Sequence, residues 1–325
     1  MNGTLKFFVQ IPKKICIFAN YFNSFFIINK YILAKDSLPG TQSTTMTVPN
    51  LDEVIKMAVR EDVGDGDHST LACIPPTAVG TAKMVAKQDG ILCGCEVGKR
   101  VFQLVDDTLD VSLLKNDGDE VRKGDIVMLV KGHSGSILTA ERTALNFMQR
   151  LSGIATETNR MVRMLDGLQT KLLDTRKTTP NMRLLEKYAV KCGGGTNHRI
   201  GLYDMVMLKD NHIDFAGGIE AAIDRTREYL ATKGKNLKIE IEVRNLDELD
   251  RVLAYGGVDR IMLDNFDIPT LREAVLRIDH RYETEASGGI TDQTLRPYAE
   301  TGVDFISVGA LTHHIKSLDL SLLKK

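Results

Sequence analysis

The sequence predicts an α/β protein in which a small α+β domain precedes a barrel-like parallel α/β domain. In residues 80–131, short apolar stretches are separated by Gly, Asp and Asn residues, which is typical of antiparallel strands. From residue 171 onward, six apolar strands alternate with helical stretches, as in a parallel sheet with right-handed crossovers. Six such units fall short of the eight that close a complete barrel.

The composition is that of a globular protein without a strong charge bias. The chain has 325 residues, and its 42 lysines and arginines balance 43 acidic residues, so any basic cluster must be local. This balance argues against a nucleic-acid partner, which usually requires a basic domain. The five cysteines are odd in number, and Cys93 and Cys95 are spaced too closely for a usual zinc site. We therefore expect reduced thiols in a cytoplasmic protein.

Residues 1–45 differ in composition from the rest of the chain. They are rich in Phe, Tyr and Lys, and Asp36 is their only acidic residue. No apolar run approaches the roughly 18 residues that a transmembrane helix needs, so no membrane partner is expected. A signal or transit peptide is one interpretation, because both are basic and poor in acidic residues. We favour an atypical upstream extension, with Met46 as an alternative start.

The first domain is expected to mix helices with short strands. A helix over residues 50–60 begins at Asn50, a suitable N-cap, and an acidic turn at 63–67 follows it without the spacing of a calcium loop. The predicted strands and a helix between them are 81–88, 90–94, 96–104 (the helix), 109–115 and 125–132.

A second helical region is predicted over residues 139–165, with Thr139 as its cap. Ser152 and Gly153 are expected to interrupt it, because both residues are weak helix formers. We place the domain boundary at this interruption, so that the first domain covers residues 46–151 and the second covers 152–325.

Polar residues follow every predicted strand of the second domain. These strands are 171–177, 205–211, 238–244, 259–265, 283–289 and 304–310, with helices at 182–190, 219–230, 247–255, 269–278 and 291–300 between or after them. In α/β barrels, the active site gathers at the carboxyl ends of the strands. A single polar residue there could be a helix cap, but polar residues after all six strands favour an active site.

The basic residues near this rim predict an anionic ligand. Arg176, Lys177, His198, Arg199 and Lys209 form a local cationic set in a nearly neutral protein. The planar guanidinium of Arg suits carboxylates and phosphates. The three glycines at residues 193–195, shortly before His198, could either end a helix or form part of a functional loop.

Carboxylates and glycines on the later strands predict a metal-bound phosphate substrate. Glu242 and Asp264 end neighbouring strands and offer the oxygen ligands that Mg²⁺ prefers. Glu240 shares a strand face with Glu242, but Glu242 lies nearer the rim. Glycines in the loops at 287–289 and 308–310 would let backbone N–H groups approach a phosphate. Together these features indicate sugar-phosphate transfer from a pyrophosphate donor.

Six motifs carry a resemblance to one enzyme family. The segments DTRKTTP, KCGGGTNHRIGL, MLKDNHI, IMLDNF, ASGGI and VGALTH resemble the quinolinate phosphoribosyltransferases, also called nicotinate-nucleotide pyrophosphorylases (carboxylating), and the likeness spans roughly residues 51–320. It implies an N-terminal α+β open sandwich domain, then an incomplete parallel α/β barrel of about six strands, assembled at least as a homodimer. It also implies that quinolinate and phosphoribosyl pyrophosphate are converted to nicotinate mononucleotide, carbon dioxide and pyrophosphate, in NAD synthesis.

The resemblance also implies a role for each candidate site residue. The quinolinate carboxylates would be held by Arg176, His198, Arg199 and Lys209, with Arg142 reaching in from the neighbouring subunit. The ribose-pyrophosphate and Mg²⁺ would be bound by Lys177, Glu242 and Asp264, and the 5′-phosphate by Ser287, Gly288, Gly289 and Gly309. From its position alone, Arg142 would be an ordinary surface arginine. Two residues depart from the family pattern: Asn181 replaces a common Gly, and Arg244 replaces a frequent acidic residue.

Two residues near the rim have less definite roles. His212 is either catalytic or a residue that orients its loop, and Cys192 is expected to be a packed thiol.

Two other functions compete with the enzyme just described. A paralogous phosphoribosyltransferase with another acceptor, for example one linked to molybdenum uptake, would need fewer cations. A non-catalytic ligand sensor would have no need of Glu242, Asp264 and Lys177.

Overall fold

The computed structural model describes residues 50–325, so the predicted extension at 1–45 lies outside the described residues. The first half contains α1 (Leu51–Val63), α2 (His68–Cys73), β1 (Val79–Ala86), β2 (Gly90–Ile91), α3 (Cys95–Val105), β3 (Asp110–Leu113), β4 (Glu120–Val121) and β5 (Ile126–His133). Within this part of the chain, none of the helices is both long enough and apolar enough to cross a membrane.

The helix starts differ from expectation in one detail. Asn50 precedes α1 as predicted, but its side chain makes no capping bond and its φ is 64°. The cap in this region is instead Asp67, whose Oδ1 accepts a hydrogen bond from the Thr70 amide at 3.1 Å at the start of α2. The acidic turn at 63–67 therefore serves to begin a helix.

The sheet of the N-terminal part is antiparallel and includes a strand from the far end of the chain. Its order is β12-β1-β5-β3, where β12 spans Leu320–Lys324. Ala82 pairs with Lys324 and Ala86 with Leu320. The sequence analysis did not predict β12. The α+β character of this part is confirmed. Its helices contribute buried residues such as Phe102 and Met148 to the same hydrophobic core as its sheet.

A single long helix, α4 (Ser134–Arg163), joins the two halves. The predicted interruption at Ser152 and Gly153 is wrong, and the helix begins before Thr139. Ser152 Oγ instead accepts a hydrogen bond from the Cys93 amide at 2.9 Å and donates one to the Cys93 carbonyl. Gly153 lies so close to the chain at Lys316 that a Cβ would be 2.4 Å from its carbonyl oxygen. Both residues serve close packing, and the domain boundary stays a prediction.

The second half is an incomplete parallel barrel, which confirms the predicted fold class. It contains β6 (Lys171–Leu173), α5 (Arg183–Cys192), β7 (Val206–Leu208), α6 (Asp210–Ala216), α7 (Ile219–Lys233), β8 (Ile239–Val243), α8 (Leu246–Tyr255), β9 (Arg260–Asp264), α9 (Ile268–Ile278), β10 (Glu283–Ser287), α10 (Asp292–Ala299), β11 (Phe305–Ser307) and α11 (Ala310–His313). The six strands follow the order β6-β11-β10-β9-β8-β7, and all neighbours are parallel.

The barrel is open between β6 and β7, and an irregular segment covers the edge of β6. Thr196 forms a parallel bridge with Leu173 there. Its amide donates to the Leu172 carbonyl at 2.8 Å, and its own carbonyl accepts from the Asp174 amide at 3.2 Å. The residues that follow Thr196 are thereby held beside the carboxyl end of β6, where the site lies.

Candidate active site

A pocket of about 730 Å³ opens at the carboxyl ends of the six parallel strands. Two predicted site residues, Glu242 and Arg142, are not part of its wall. The other predicted site residues all line it: Arg176, Lys177, His198, Arg199, Lys209, Asp264, Ser287, Gly288, Gly289 and Gly309. The structure thus brings these residues together in one cavity, at the strand ends where the sequence predicts them.

Two arginines form the most cationic part of the wall. Arg176 follows β6, and Arg199 follows the segment that covers the edge of β6. Arg199 Nη1 donates to the Met205 carbonyl at 3.2 Å. Burial lowers the pKa of Arg199, and the positive charge of Arg176 lowers it further. Two cations are therefore held near each other in a partly desolvated setting, which favours an anionic ligand.

Lys209 connects this wall to a buried carboxylate. Its Nζ donates to Glu242 Oε2 at 2.7 Å, and only 8% of the Glu242 side chain is exposed. Glu242 therefore lies behind Lys209 rather than on the pocket wall. His212 Nδ1 accepts a hydrogen bond from the Lys209 amide at 3.0 Å. This contact favours the orienting role for His212 over a catalytic one.

The second carboxylate of the site, beside Glu242, is Asp264 at the end of β9. Burial raises the pKa of Asp264, and the negative charge of Glu242 raises it further. Asn265 Nδ2 donates to Asp264 Oδ2 at 2.6 Å, and the Asn265 amide donates to the Ser287 carbonyl at 2.9 Å. The register of β9 and β10, which pairs Asp264 with Ser287, brings the carboxylate and the glycine loop to one place.

Main-chain contacts hold Lys177 at the mouth of the pocket. The Thr312 hydroxyl donates to the Lys177 carbonyl at 2.8 Å, and the Lys177 amide donates to Thr175 Oγ1 at 3.0 Å. Thr312 is buried in α11, so this short helix fixes the loop after β6. Within residues 50–325, no hydrogen bond or ion pair holds the ammonium group of Lys177, which can therefore reach a ligand.

His198 is a buried residue of the wall, and protein groups surround its ring. Its Nε2 lies 3.1 Å from both Glu240 Oε2 and Glu285 Oε2, and its Nδ1 accepts from the Arg199 amide at 2.6 Å. Burial raises the pKa of Glu240 to about 7, with a second contribution from the charge of Glu285. Arg260 Nη1 lies 3.2 Å from Glu285 Oε2 and completes this buried group.

A second buried group fixes the backbone of His198. Asp174 forms an ion pair with Lys187, and both side chains are almost fully buried. Asp174 Oδ1 accepts from the His198 amide at 2.9 Å, and Lys187 Nζ donates to the His198 carbonyl at 3.1 Å. Asn197 Nδ2 donates to the other Asp174 oxygen at 2.6 Å. The segment that carries His198 and Arg199 is therefore rigid before any ligand arrives.

Arg142 lies elsewhere in this chain. It is an exposed residue on α4 and is not part of the pocket wall. Arg142 is predicted to contact the substrate in the pocket of a neighbouring subunit, whereas the structure contains one chain. That contact stays a prediction.

Comparisons with known proteins identify the family of the chain. Residues 67–152 match the family described as quinolinate phosphoribosyl transferase, N-terminal domain, and residues 154–323 match its C-terminal domain. The chain belongs to the quinolinate phosphoribosyltransferase family.

Similar proteins come from plants and bacteria. A chloroplastic nicotinate-nucleotide pyrophosphorylase [carboxylating] of Arabidopsis thaliana is 45% identical over 289 residues, which cover 84% of this chain and 82% of that protein. A mitochondrial quinolinate phosphoribosyltransferase [decarboxylating] 2b of Nicotiana tabacum is 44% identical, with coverage of 84% and 82%. The crystal structure of NadC from Streptococcus pyogenes is 41% identical, with a TM-score of 0.82 and coverage of 87% and 100%.

Sequence reasoning missed several residues that this family member places at the pocket. Thr175, Thr291, Ser307 and His313 also line the wall. Each lies within a few residues of a predicted site residue, at a strand end or in the loop after it, so the rim argument could have included them. Glu240 was detectable as an acidic residue inside a largely apolar strand, where an unpartnered charge is rarely buried, whereas Glu285 lies in the mostly polar strand β10 and gave no such signal.

Proposed function

We propose that this protein transfers the phosphoribosyl group of phosphoribosyl pyrophosphate to quinolinate, with loss of carbon dioxide and pyrophosphate. The product is nicotinate mononucleotide, a precursor of NAD. Family membership supports this activity, as do the names of relatives that are 44–45% identical. The observation that carries the proposal is that one pocket holds the cations Arg176, Arg199 and Lys209 together with Asp264 and the glycine loop at Gly288.

The cationic wall would bind the two carboxylates of quinolinate. Arg176, Arg199 and Lys209 offer charged donors on neighbouring segments, and charge-assisted hydrogen bonds to carboxylates are among the strongest in proteins. Both ring nitrogens of His198 already face protein groups, so His198 would act by holding Arg199 in place within the same wall. We also propose that Arg142 completes this half of the site across the interface of a homodimer.

The other half of the site would bind phosphoribosyl pyrophosphate with Mg²⁺. Glu242 and Asp264 would hold the ion, and their residue types fit it, because Mg²⁺ prefers carboxylate oxygens. Burial raises the pKa of Asp264 most, and the negative charge of Glu242 raises it further. A cation between the two carboxylates would relieve that repulsion, which supports this assignment. Bound Mg²⁺ supplies positive charge that neutralises the pyrophosphate group. Backbone groups of the loops at Ser287, Gly288, Gly289 and Gly309 would receive the 5′-phosphate.

The residues of the chain act on charges that appear during the reaction. The ring nitrogen of quinolinate attacks the anomeric carbon while the bond to pyrophosphate breaks. Glu242 and Asp264 stabilise the positive charge that develops on the ribose, and Lys177 stabilises the departing pyrophosphate. The bond to the 2-carboxylate then breaks, its electron pair moves toward the positive ring nitrogen, carbon dioxide leaves, and a proton takes its place on the ring.

A product assay tests the activity and the carboxylate contacts together. Incubation of the protein with phosphoribosyl pyrophosphate and quinolinate should release carbon dioxide. The same incubation with nicotinate in place of quinolinate should release none. In Arg176→Ala, loss of a charged hydrogen bond worth about 2 kcal/mol should raise the KM for quinolinate about 30-fold. Arg251→Ala is the matched control, because Arg251 pairs with Glu220 on the surface, away from the pocket. An unchanged quinolinate KM in Arg176→Ala would contradict the proposed carboxylate contact.

Metal removal tests the other half. We expect exhaustive treatment with EDTA to abolish turnover, and added Mg²⁺ to restore it. Asp264→Asn should need more Mg²⁺ for half-maximal rate than the unsubstituted enzyme, because one of two charged ligands is lost. Full activity after chelation would show that the assignment of Mg²⁺ to Glu242 and Asp264 is wrong.

A further inference from the structure

Two cysteines lie close together outside the pocket. Cys93 follows β2 in the N-terminal half, and Cys192 is the last residue of α5 in the barrel half. The two Sγ atoms and a carboxylate oxygen of Asp117 all lie within 4.8 Å of one another. Neither cysteine lines the pocket, so the proposed reaction gives them no role.

The surroundings of the two thiols are unequal. Cys93 is fully buried, whereas Cys192 is partly exposed. A hydrogen bond from Cys93 lowers the pKa of Cys192, although burial acts in the opposite direction. Burial is the main cause that raises the pKa of Cys93. The thiolate is the form that reacts with oxidants, so Cys192 is the thiol that reacts first and Cys93 the one that follows.

The cluster is better suited to a thiol pair than to a metal ion. Asp117 Oδ1 accepts from the Cys95 amide at 2.7 Å, and its Oδ2 accepts from the Tyr188 hydroxyl at 2.8 Å. Both carboxylate oxygens therefore already have protein donors. A metal would have to share a carboxylate oxygen with one of these donors, whereas a bond between the sulfurs leaves both hydrogen bonds unchanged.

We propose that Cys93 and Cys192 form a reversible disulfide under oxidising conditions, and that this disulfide weakens quinolinate binding. Hydrogen peroxide is the oxidant that we consider. It oxidises the Cys192 thiolate to a sulfenic acid while the peroxide O–O bond breaks and water forms. The Cys93 thiol then attacks that sulfur, the S–S bond forms, and the sulfenic oxygen leaves as a second water. A dithiol reductant reverses the reaction by thiol–disulfide exchange.

The expected effect on quinolinate, which rests on the proposed function, follows from how the two cysteines are anchored. Hydrogen bonds in both directions with Ser152 hold the Cys93 backbone to α4. Cys192 ends a helix and leads within a few residues to Thr196, His198 and Arg199. A disulfide requires an S–S distance of about 2.05 Å, so the sulfurs must approach each other. We expect the end of α5 to move most. The segment that carries Arg199 should move with it as a rigid unit, because Lys187 of that helix is hydrogen-bonded to the His198 carbonyl and to the Asn197 side chain.

The test measures the bond directly in the full-length protein. The background carries Cys16→Ser and Cys73→Ser, which remove a thiol outside the described residues and an exposed one. After treatment with hydrogen peroxide and alkylation of the remaining thiols, peptide mass spectrometry should find the Cys93–Cys192 link, and dithiothreitol should remove it. Adding Cys95→Ser should leave the link in place, whereas adding Cys192→Ser should abolish it. The oxidised protein should show a quinolinate KM at least fivefold higher, restored by dithiothreitol.

Other results would overturn the proposal. A link between Cys93 and Cys95, sulfinic acid without any link, or zinc bound to the pair in the purified protein would each exclude the disulfide. A link that leaves the quinolinate KM unchanged would remove its proposed effect on binding. The mass measurement needs no enzyme assay. If reduced protein does not turn over quinolinate, the proposed function fails while the result on the disulfide still stands.

Discussion

Gly288 shows how narrowly the phosphate side of the pocket is built. Its φ is +99°, a backbone conformation that other residues rarely adopt. A Cβ at this position would lie 2.2 Å from Asn265 Oδ1 and 2.9 Å from the Asn265 amide nitrogen. Asn265 in turn donates a hydrogen bond to Asp264. A side chain at Gly288 would therefore displace the neighbour of a proposed metal ligand.

We predict that Gly288→Ala raises the KM for phosphoribosyl pyrophosphate about tenfold or more, since a disturbance of roughly 1.4 kcal/mol already gives that change. The KM for quinolinate should change much less, because the cationic residues lie on other segments. Steady-state kinetics with each substrate varied in turn measure both values. Gly289→Ala is the control, since its φ is also positive but no atom lies within 4 Å of a Cβ there. Equal effects in the two variants would mean that backbone strain, rather than the contact with Asn265, is responsible.

The residues around the pocket differ in how far sequence could reveal them. Arg176, Lys177 and Lys209 directly follow apolar strands, so local pattern alone placed them at the rim. The partners of His198 were not predictable in this way. Glu240 and Glu285 meet its ring only because β8 and β10 both lie beside β9 in parallel register. Such a contact depends on sheet order, which the residues near His198 do not encode.

The helix α4 shows tertiary contacts overriding local preference. Ser and Gly are poor helix formers, and the expected interruption rested on that preference. In the structure, residue 153 must be small because the chain at Lys316 and Ser317 passes directly over it, with a Cβ only 2.4 Å from one backbone atom and 2.9 Å from another. The contact partner is more than a hundred residues away in sequence, so no local pattern could indicate it.

Gly153→Ala should therefore destabilise the protein although alanine is the better helix former. The gain in helix preference is about 1 kcal/mol. Forcing a methyl group against backbone atoms costs about 1–3 kcal/mol, so we expect a lower free energy of unfolding in urea. Gly135→Ala in the same helix is the control, because its Cβ would meet only the methyl group of Thr70, at 3.2 Å. A stabilised Gly153→Ala would show that the chain at Lys316 can move aside.

The shortest helices and strands were not predictable from the sequence. Helices α2, α6 and α11 were not predicted, and neither were β4 and β12. Each is too short for periodicity to emerge above noise: α11 spans four residues and β4 two. Yet α11 carries Thr312, which holds the Lys177 carbonyl. The longer strands and helices of the barrel, by contrast, were located within a few residues.

At the scale of the whole molecule, the C-terminal strand β12 connects the barrel half to the N-terminal sheet. β12 pairs with β1 over five residue pairs, and Leu320 within it is 2% exposed. The sequence LSLLK is short and partly polar, so nothing in it indicated a partner in the N-terminal sheet. Along the chain, the barrel half is therefore inserted between β1 and β12, which are neighbours in the N-terminal sheet.

We predict that deleting residues 320–325 lowers the free energy of unfolding by about 2 kcal/mol or more, the usual consequence of losing one buried leucine, with the lost strand pairing in addition. Chemical denaturation followed by circular dichroism would measure it. The matched control is Leu323→Ser, which alters a 39% exposed side chain but keeps the strand. If the deletion is as stable as the complete chain, β12 contributes little to the sheet.

The position of β12 also bears on how the chain folds while it is being made. β1 emerges early from the ribosome, but the strand that pairs with one of its edges, from Ala82 to Ala86, is translated near the end of the described chain. At the usual synthesis rates the delay is roughly ten to fifty seconds. Throughout that time the edge of β1 can pair with a strand of another nascent chain. We therefore expect molecular chaperones to matter most for this protein between synthesis of the N-terminal sheet and release of the finished polypeptide.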